Sequence, residues 1–461
     1  MNPKQHSSEQ GQAIVLMVLA MIVLLGFTAL AVDGSMVYSD RRFTQSASDA
    51  SSLAGGGVAA QRMGELGVTL DNFTLSGTTC TGNVENAASS GRTAAVSRAS
   101  DNSFTIANND LSGDLGVATV CGSEPVLANK LDSNGNVIGT YTLYTDKFID
   151  VKTRFSKNTQ TAFAHFVFPG VMRNVVESVT RVRPQQPAAF GNAIVALNPN
   201  ACSGNTNGQQ FRGLGGSGQL SVTGGGVFSN GCMDVDGNVD VTVTNGGVGY
   251  FYTANRNDLD DITITGGGDP AQLQNIDANR IPQTAYDIPV PAACLDSAND
   301  VDEDDLQDMQ PLEGLYCVTG GLSINNQNEN LVGTNLTLVF KGGKVLINGG
   351  TLDLKAPPNS YAGENGAIPG VLIYMPRQYY DCANASANSN TLQINGNAGN
   401  QFEGTVLAPC SSVELNGSSS NYAFNTQVIG YNVNIGGASG TSVIYQSDKN
   451  LLRPAFMDLY R

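Results

Sequence analysis

One uninterrupted apolar run stands out in the pattern of hydrophobic and polar positions, close to the start of the chain. Ala13 to Val32 carries no charge and one polar side chain, that of Thr28, and Asp33 follows at once. Twenty residues make about 30 Å of helix, which matches the hydrocarbon thickness of a bilayer. The run predicts a transmembrane helix over residues 13–32, preceded by a cytoplasmic leader of residues 1–12.

A cleaved secretory signal is the alternative interpretation of this run, with Ala29 to Ala31 as a small-residue cleavage site. The run is longer than the usual core of a signal, and the leader carries Lys4 and Glu9. Under either interpretation, the remainder of the chain crosses the membrane.

Small residues dominate the segment after the span. Ala47, Ala50 and Ala54 recur at helical spacing among serines, which predicts an extended helix over residues 33–61. A stripe of small side chains would let another helix or a sheet pack closely against it. Because glycine disfavours helix, Gly55 to Gly57 are expected to end or fray it.

Mixed patterning covers residues 62–183 and predicts an α+β membrane-proximal domain. Asp132 to Asn136 has the composition of a hairpin turn, and strands are expected around it and again at Val175 to Val182. Between them, Ala162 to Arg173 reads as a short aromatic helix broken by Pro169 and Gly170.

Short β runs closed by Gly or Asn fill residues 190–447, and three of them end in the triplets Ile347 to Gly349, Ile394 to Gly396 and Leu415 to Gly417. Stacked strand-turn units of this kind predict a parallel β-helix-like domain. An antiparallel β-sandwich remains an alternative, because strand spacing does not distinguish it from a parallel β-helix. An acidic, Pro-containing connection is expected at residues 271–314 and a C-terminal tail at 448–461. The predicted fold class is therefore mainly β with one N-terminal transmembrane helix.

Composition and charge narrow the class further. The chain has 54 glycines, no tryptophan and a net charge of −16 from 24 basic and 40 acidic residues. Nucleic acid is not an expected partner, since its phosphates need a basic face.

Eight cysteines occur without a CxxC motif and with only two histidines in the chain, which is not the spacing of a zinc site. Pairing neighbours would close loops of roughly 20–40 residues, each worth about 3 kcal/mol. Eight cysteines allow 105 disulfide connectivities. The alternative that the cysteines are buried and reduced also remains open. Disulfides would place this part of the chain in an oxidising, extracytoplasmic compartment. The proposed pairs are Cys80 with Cys121, Cys202 with Cys232, Cys294 with Cys317, and Cys382 with Cys410.

The N-terminal segment also carries an ordered set of motifs: Glu9 to Ala13 before the span, Ala31 to Gly34 at its end, Tyr38, Arg41-Arg42, and a Ser/Ala-rich helix at Gln45 to Gly55. They resemble the N-terminal module of TadE/TadG-like Flp pilus-assembly proteins. The resemblance implies a non-enzymatic, single-pass cell-membrane protein whose bulk is extracytoplasmic or at the cell surface, acting in Tad/Flp-type pilus assembly, anchoring or adhesion. Implied partners are the membrane and other pilus-assembly or envelope proteins, with surface glycans as a further class.

Two departures from related patterns refine this expectation. Pilin-type subunits carry Glu five residues after their cleavage glycine, and Leu16 stands at that offset from Gly11. This favours a permanently anchored protein. Asp33 to Val37 also fails the DxSxS metal motif of the von Willebrand-type domain found in full TadG proteins.

A second resemblance covers about 130 residues towards the C-terminus. Pro311 to Cys317, the repeats at Lys344 to Lys355, Gly370 to Arg377 and Phe402 to Gly417 resemble β-solenoid modules of pilus-associated surface proteins. The resemblance implies a structural module. The alternative is a β-helix that binds or cleaves polysaccharide, which would need a carboxylate cluster beside an Arg or Lys.

Candidate chemistry is sparse, and no catalytic residue, cofactor or metal site is predicted. The acidic run from Asp296 to Asp308 lacks the register of a calcium loop, so a solvated loop is expected. His165, among phenylalanines, is expected to be packed rather than a catalytic base. A locally basic stretch is expected to form polar strand faces, although it would also suit an anionic partner; it comprises Lys147, Lys152, Arg154, Lys157, Arg173, Arg181 and Arg183.

Overall fold

The protein is described by a computed structural model at residues 10–164, 171–202, 211–213, 218–235, 239–253, 260–266, 269–274, 276, 279–325, 329–359, 366–395, 401–417, 422–436 and 440–460. It divides into two compact units. We call Met1–Ser123, Lys147–Gln185 and Pro454–Arg461 the helix unit, and Glu124–Asp146 with Gln186–Arg453 the stack unit.

The helix unit is built on α1, a single helix over Gln10–Glu65. Its 56 residues correspond to a length of about 84 Å. Its N-terminal part is long and apolar enough to cross a membrane, and the side chains there are exposed. The expectation that Gly55 to Gly57 end the helix is wrong, since α1 continues for two further turns.

The second half of α1 shares one hydrophobic core with other elements of the helix unit. Their buried side chains include Ala87, Ala95, Ile149, Val151 and Phe155. The elements are β1 Leu75–Ser76, β2 Thr79–Cys80, α2 Gly82–Asp101, β3 Ala107–Asn108, β4 Gly116–Leu131, β5 Val137–Thr159 and β6 Met172–Arg183.

The predicted hairpin turn between β4 and β5 is confirmed. The Asp132 carboxylate accepts hydrogen bonds from the backbone N–H groups of Asn134 and Asn136, both at 2.8 Å. The hairpin end of these two strands, Glu124–Asp146, belongs to the stack unit.

Half of the aromatic helix predicted at Ala162 to Arg173, including His165, lies outside the described residues. Where the described chain resumes, Met172 and Arg173 already belong to β6, so the helical prediction is wrong for those two residues.

Most strands of the stack unit pair in parallel with one another. Its first half contains β7 Gln186–Pro187, β8 Asn192–Ala196, β9 Phe211–Gly213, β10 Gly218–Thr223, β11 Gly226–Ser229, β12 Cys232–Val235, β13 Val239–Thr244, β14 Val248–Tyr250, β15 Tyr252–Thr253, β16 Ile262–Thr265 and β17 Ala271–Gln272. Its second half contains β18 Asp300–Val301, α3 Glu303–Asp308, β19 Leu312–Val318, β20 Leu322–Ile324, β21 Asn330–Phe340, β22 Val345–Ile347, β23 Thr351–Lys355, β24 Val371–Tyr374, β25 Thr391–Asn395, β26 Gln401–Asn416, β27 Tyr422–Gly436, β28 Thr441–Ile444 and β29 Leu452–Arg453.

Parallel register repeats from one strand to the next. Leu220 of β10 lies opposite Val241 of β13, which in turn lies opposite Ile262 of β16. An antiparallel sandwich would not pair its strands in this way, so that alternative does not describe the stack unit.

The chain enters this stack in its middle. Strand β8, the first along the chain, pairs with β11 on one side and with β27, one of the last, on the other. The first half therefore grows away from β8 in one direction. The second half starts at the opposite end and returns through β19, β21, β24 and β26 to β27.

Aliphatic side chains in register fill the interior of the second half. Ile324, Ile347, Ile394, Leu415 and Ile435 succeed one another across five strands, and all are almost completely buried. Each contributes about 1.5–3 kcal/mol by leaving water.

Asparagines follow four of these aliphatic positions, and three of them form a ladder. The side-chain amide of Asn395 donates to Asn348 Oδ1 at 2.6 Å, and that of Asn416 donates to Asn395 Oδ1 at 2.8 Å. The weak Ile-Asn-Gly repeats of the sequence are thus structural repeats.

The connection between the two halves lies along the stack. Ile281 exchanges hydrogen bonds with the Asn230 side chain, and the Ile288 carbonyl accepts from Tyr374 Oη at 2.6 Å. It reaches Cys294, which is bonded to Cys317. The connection between β17 and β18 is long because it runs from one end of the stack to the other.

Two strands occupy the predicted C-terminal tail. Leu452 and Arg453 pair antiparallel with β7, and β30, Phe456–Tyr460, pairs antiparallel with β6. The longer segment of the stack unit, Gln186–Arg453, is therefore inserted in the sequence between two neighbouring strands of the helix-unit sheet.

Candidate functional site

The best-defined polar site of the helix unit lies where the apolar run of α1 ends. The Asp33 side chain is 4% exposed, and its carboxylate accepts hydrogen bonds from the backbone N–H groups of Ala162 at 2.6 Å, Phe163 at 3.1 Å and Ala164 at 2.5 Å. Charge-assisted bonds of this kind compensate for the burial of a carboxylate. Asp33 thus fixes the turn after β5 to the helix.

Further along α1, serine hydroxyls join the helix to the sheet. Ser48 Oγ lies 2.8 Å from Thr153 Oγ1, and Ser52 Oγ lies 3.0 Å from the hydroxyls of both Ser178 and Thr180. All five side chains are buried. Buried hydroxyls need such partners, which accounts for the serines in this helix.

Glycines bring α1 and α2 together. A Cβ atom at Gly55 would lie 2.8 Å from the carbonyl oxygen of Gly91, and one at Gly91 would lie 2.7 Å from that of Gly55. Ala59 and Ala95 flank this crossing. Of the predicted small-residue stripe, Ala47 is buried, while Ala50 and Ala54 are partly exposed. The close contact with α2 is made by Gly55, which serves packing rather than termination.

Most residues of the basic stretch have acidic or carbonyl partners within the helix unit. Lys147 Nζ donates to the Leu70 carbonyl at 2.8 Å. The ion pairs are Arg154 with Glu177, Lys157 with Asp40, Arg173 with Asp114, Arg181 with Asp150 and Arg183 with Asp458. These partners favour the interpretation of polar strand faces over a binding surface.

Two of these pairs differ in environment. Arg181 and Asp150 are both buried, and the guanidinium lies 3.5 Å from the ring centre of Phe148 and 4.1 Å from that of Tyr460. Asp40 is partly exposed, and its hydrogen bond with Lys157, at 2.8 Å, holds the pKa of the Asp40 carboxyl below its usual range.

The acidic run of the stack unit has structural partners. Asp302 caps the N-terminus of α3 with Asp305 in a capping box, and Glu303 accepts from the Ser323 N–H at 2.8 Å. Asp300 pairs with Lys341. Within the described ranges, no group of three or more His, Cys, Asp or Glu side chains is arranged to hold a metal ion.

The structure joins the eight cysteines in sequence order as four disulfides. Cys80–Cys121 lies in the helix unit, and Cys202–Cys232, Cys294–Cys317 and Cys382–Cys410 lie in the stack unit.

Arginines of the stack unit do not gather on a carboxylate cluster where they are described. Arg280 lies over the Phe251 ring at 5.3 Å, and Arg377 pairs with Asp287 at 3.4 Å. Arg453 belongs to β29, and Arg256 lies outside the described residues.

Comparison with known proteins defines the class of the N-terminal module. Residues 11–61 match the family model described as "Putative Flp pilus-assembly TadE/G-like". The matched segment contains the apolar run, Asp33, the serines that contact the sheet and Gly55, and it confirms the resemblance seen in the sequence. No curated protein and no solved structure matches the chain.

Proposed function

We propose that the protein is a membrane-anchored, non-enzymatic envelope protein that acts in the assembly or anchoring of a Tad/Flp-type pilus. One observation carries this proposal: the segment that matches the TadE/G-like model coincides with one continuous helix. The same helix contributes the apolar run at one end and the core of a folded unit at the other.

A continuous helix has mechanical consequences. No break separates the membrane-crossing part of α1 from the part that carries Ser48, Ser52 and Gly55. The orientation of the span is therefore transmitted to the helix unit without a hinge. This suits a protein that holds a surface structure at a fixed angle to the membrane.

The stack unit supplies the projecting part in this proposal. Its parallel registers, aliphatic ladder and asparagine ladder support the inference that it is a parallel β-helix, stabilised by disulfides outside the cytoplasm. Adhesion to surfaces or to other envelope proteins would be its role.

A chromosomal deletion tests the role in pili. We expect fewer surface pili by electron microscopy and weaker attachment, with both restored by the wild-type gene. Complementation with Gly55→Leu should fail, because Gly55 sits at the closest approach of α1 and α2. Gly64→Leu is the matched control, since nothing lies within 4 Å of a Cβ there. Normal pili and attachment in the deletion strain would contradict the proposal.

The N-terminus of the mature protein tests permanent anchoring. Mass spectrometry of the membrane fraction should find the leader attached to the span. A mature chain starting at Gln12 would indicate a processed pilin-like subunit, and one starting at Val32 a secreted protein.

A further inference from the structure

An apolar groove of about 580 Å³ lies beside α1 at the end of its apolar run. Gly26, Leu30 and Val37 form its wall on the helix, and Phe163 and Met172 face them. All of these residues belong to the helix unit.

The position of the groove along α1 fixes its depth in a membrane. Gly26 and Leu30 belong to the predicted span, so the proposed anchoring would place this part of the wall within the hydrocarbon. The backbone of Phe163 is hydrogen-bonded to Asp33, the first residue beyond the span. Phe163 therefore lies at the boundary between hydrocarbon and headgroups.

Two apolar side chains that line the groove are exposed, Phe163 to 47% and Met172 to 38%. Val171, next to Met172 in the chain, is 60% exposed. Neighbouring exposed apolar side chains are typical of a contact surface rather than of a water-facing one. Because this surface is continuous with the span, the bilayer itself is its nearest apolar environment.

Positive charge marks the opposite end of the groove. Arg41 lines the groove, and both Arg41 and Arg42 are exposed. Neither forms an ion pair with any residue that the structure describes. Arg41 lies about 13 Å beyond Val32 along the helix, and a long arginine side chain can extend back towards the headgroups.

We propose that the groove binds one phospholipid of the leaflet next to the folded domain. An acyl chain lies between Gly26, Leu30, Phe163 and Met172, and the phosphate meets the Arg41 guanidinium, which binds phosphate through its fork of N–H groups. The lipid gives the helix unit a second contact with the membrane. The proposal rests on the membrane anchoring proposed above.

Fluorescence quenching by brominated lipids tests the site, because the chain has no tryptophan of its own. Full-length Phe163→Trp is reconstituted in nanodiscs whose phospholipids carry bromine on the acyl chains near the glycerol. We expect the tryptophan to lose most of its emission relative to nanodiscs of unbrominated lipid.

Two control variants separate this proposal from the anchoring proposal. Leu24→Trp lies in the span, 65% exposed, and should be quenched by bromine near the chain ends. Ile138→Trp, 59% exposed in the stack unit, serves as the ectodomain reference and should keep its emission. Quenching of Leu24→Trp without quenching of Phe163→Trp overturns the lipid site alone, whereas an unquenched Leu24→Trp overturns membrane anchoring.

Native mass spectrometry tests the phosphate contact. The wild-type protein released from membranes should retain one phospholipid, and Arg41→Gln should lose most of that bound fraction. Arg62→Gln is the matched control on the same helix, since Arg62 pairs with Glu65 at 2.7 Å and lies far from the groove. Equal retention by the two variants would overturn the contact with Arg41.

Discussion

The helix unit and the stack unit are held together by opposite means. In the helix unit, the position of α1 depends on side chains that are missing or very small, as at Gly55, Gly91 and Ala59. In the stack unit, large aliphatic side chains such as Ile394 and Leu415 repeat in register from strand to strand. The core of the helix unit depends on the close approach of two helix backbones, and the core of the stack unit depends on large side chains stacked in register.

This difference predicts different sensitivities to mutation. Adding a methyl group should damage the helix unit, and removing methyl groups should damage the stack unit. Polar substitution separates the units as well, because the helix unit also buries an ion pair.

The largest effect is expected at the buried ion pair of the helix unit. Asp150→Asn removes the negative charge from a buried ion pair with Arg181 and should cost about 3–5 kcal/mol. Arg154 and Glu177 form a second ion pair across β5 and β6, and this pair is exposed to solvent. Glu177→Gln, the matched control, should cost at most about 1 kcal/mol. Hydrogen exchange of β5 and β6 peptides in urea measures both. Equal losses would show that burial does not set the cost.

A slightly smaller effect is expected in the aliphatic ladder of the stack. Ile394→Ala removes buried volume between Ile347 and Leu415 and should cost about 2–5 kcal/mol. Leu295→Ala, on an exposed side chain, should change stability by less than about 0.5 kcal/mol. The measurement is hydrogen exchange of β25 and β26 peptides. A small loss for Ile394→Ala would mean that the stack lacks a tight core.

One added methyl group should damage the helix unit next. Gly55→Ala places a Cβ against the Gly91 carbonyl and the Val151 side chain, and such overpacking costs about 1–3 kcal/mol. Gly64→Ala, in open space on the same helix, should stabilise by up to about 1 kcal/mol. Thermal unfolding of the two variants shows the sign of each effect. A stabilising Gly55→Ala would break the comparison between the units.

The smallest effect concerns acid. Because Lys157 lowers the folded-state pKa of Asp40 below 3.8, the pair stabilises the helix unit above that pH and loses its contribution as the pH falls through the folded-state value. Asp40→Asn should cost about 0.2–1 kcal/mol near neutral pH, and the difference from wild type should vanish in strong acid. Urea unfolding at several pH values measures it. A constant difference would show that Asp40 acts through packing instead of charge.

Sequence patterns were most informative where one residue type repeats locally. The apolar run, the hairpin turn at Asp132 and the repeated aliphatic-Asn pairs are each defined by neighbouring residues. At these positions the structure contains a long apolar helix, a turn and strands in register. The prediction that Gly55 to Gly57 end the helix failed because a propensity of about 1 kcal/mol per glycine is overridden by packing, of Gly55 against α2 and of Gly56 and Gly57 against β6 and β30. The ladder partners of Asn395 lie 47 and 21 residues away, beyond any local pattern.

By itself, the sequence determined the apolar span, the family resemblance of its flanks and the strand-and-turn character of residues 190–447. Length, charge and periodicity carry these properties, and each acts over a few residues. Tertiary structure alone decided that β8 lies between β11 and β27, that Asp33 binds the turn after β5, and that Gly55 meets Gly91. Such contacts join positions far apart in the chain, where pairing depends on which surfaces can be buried together.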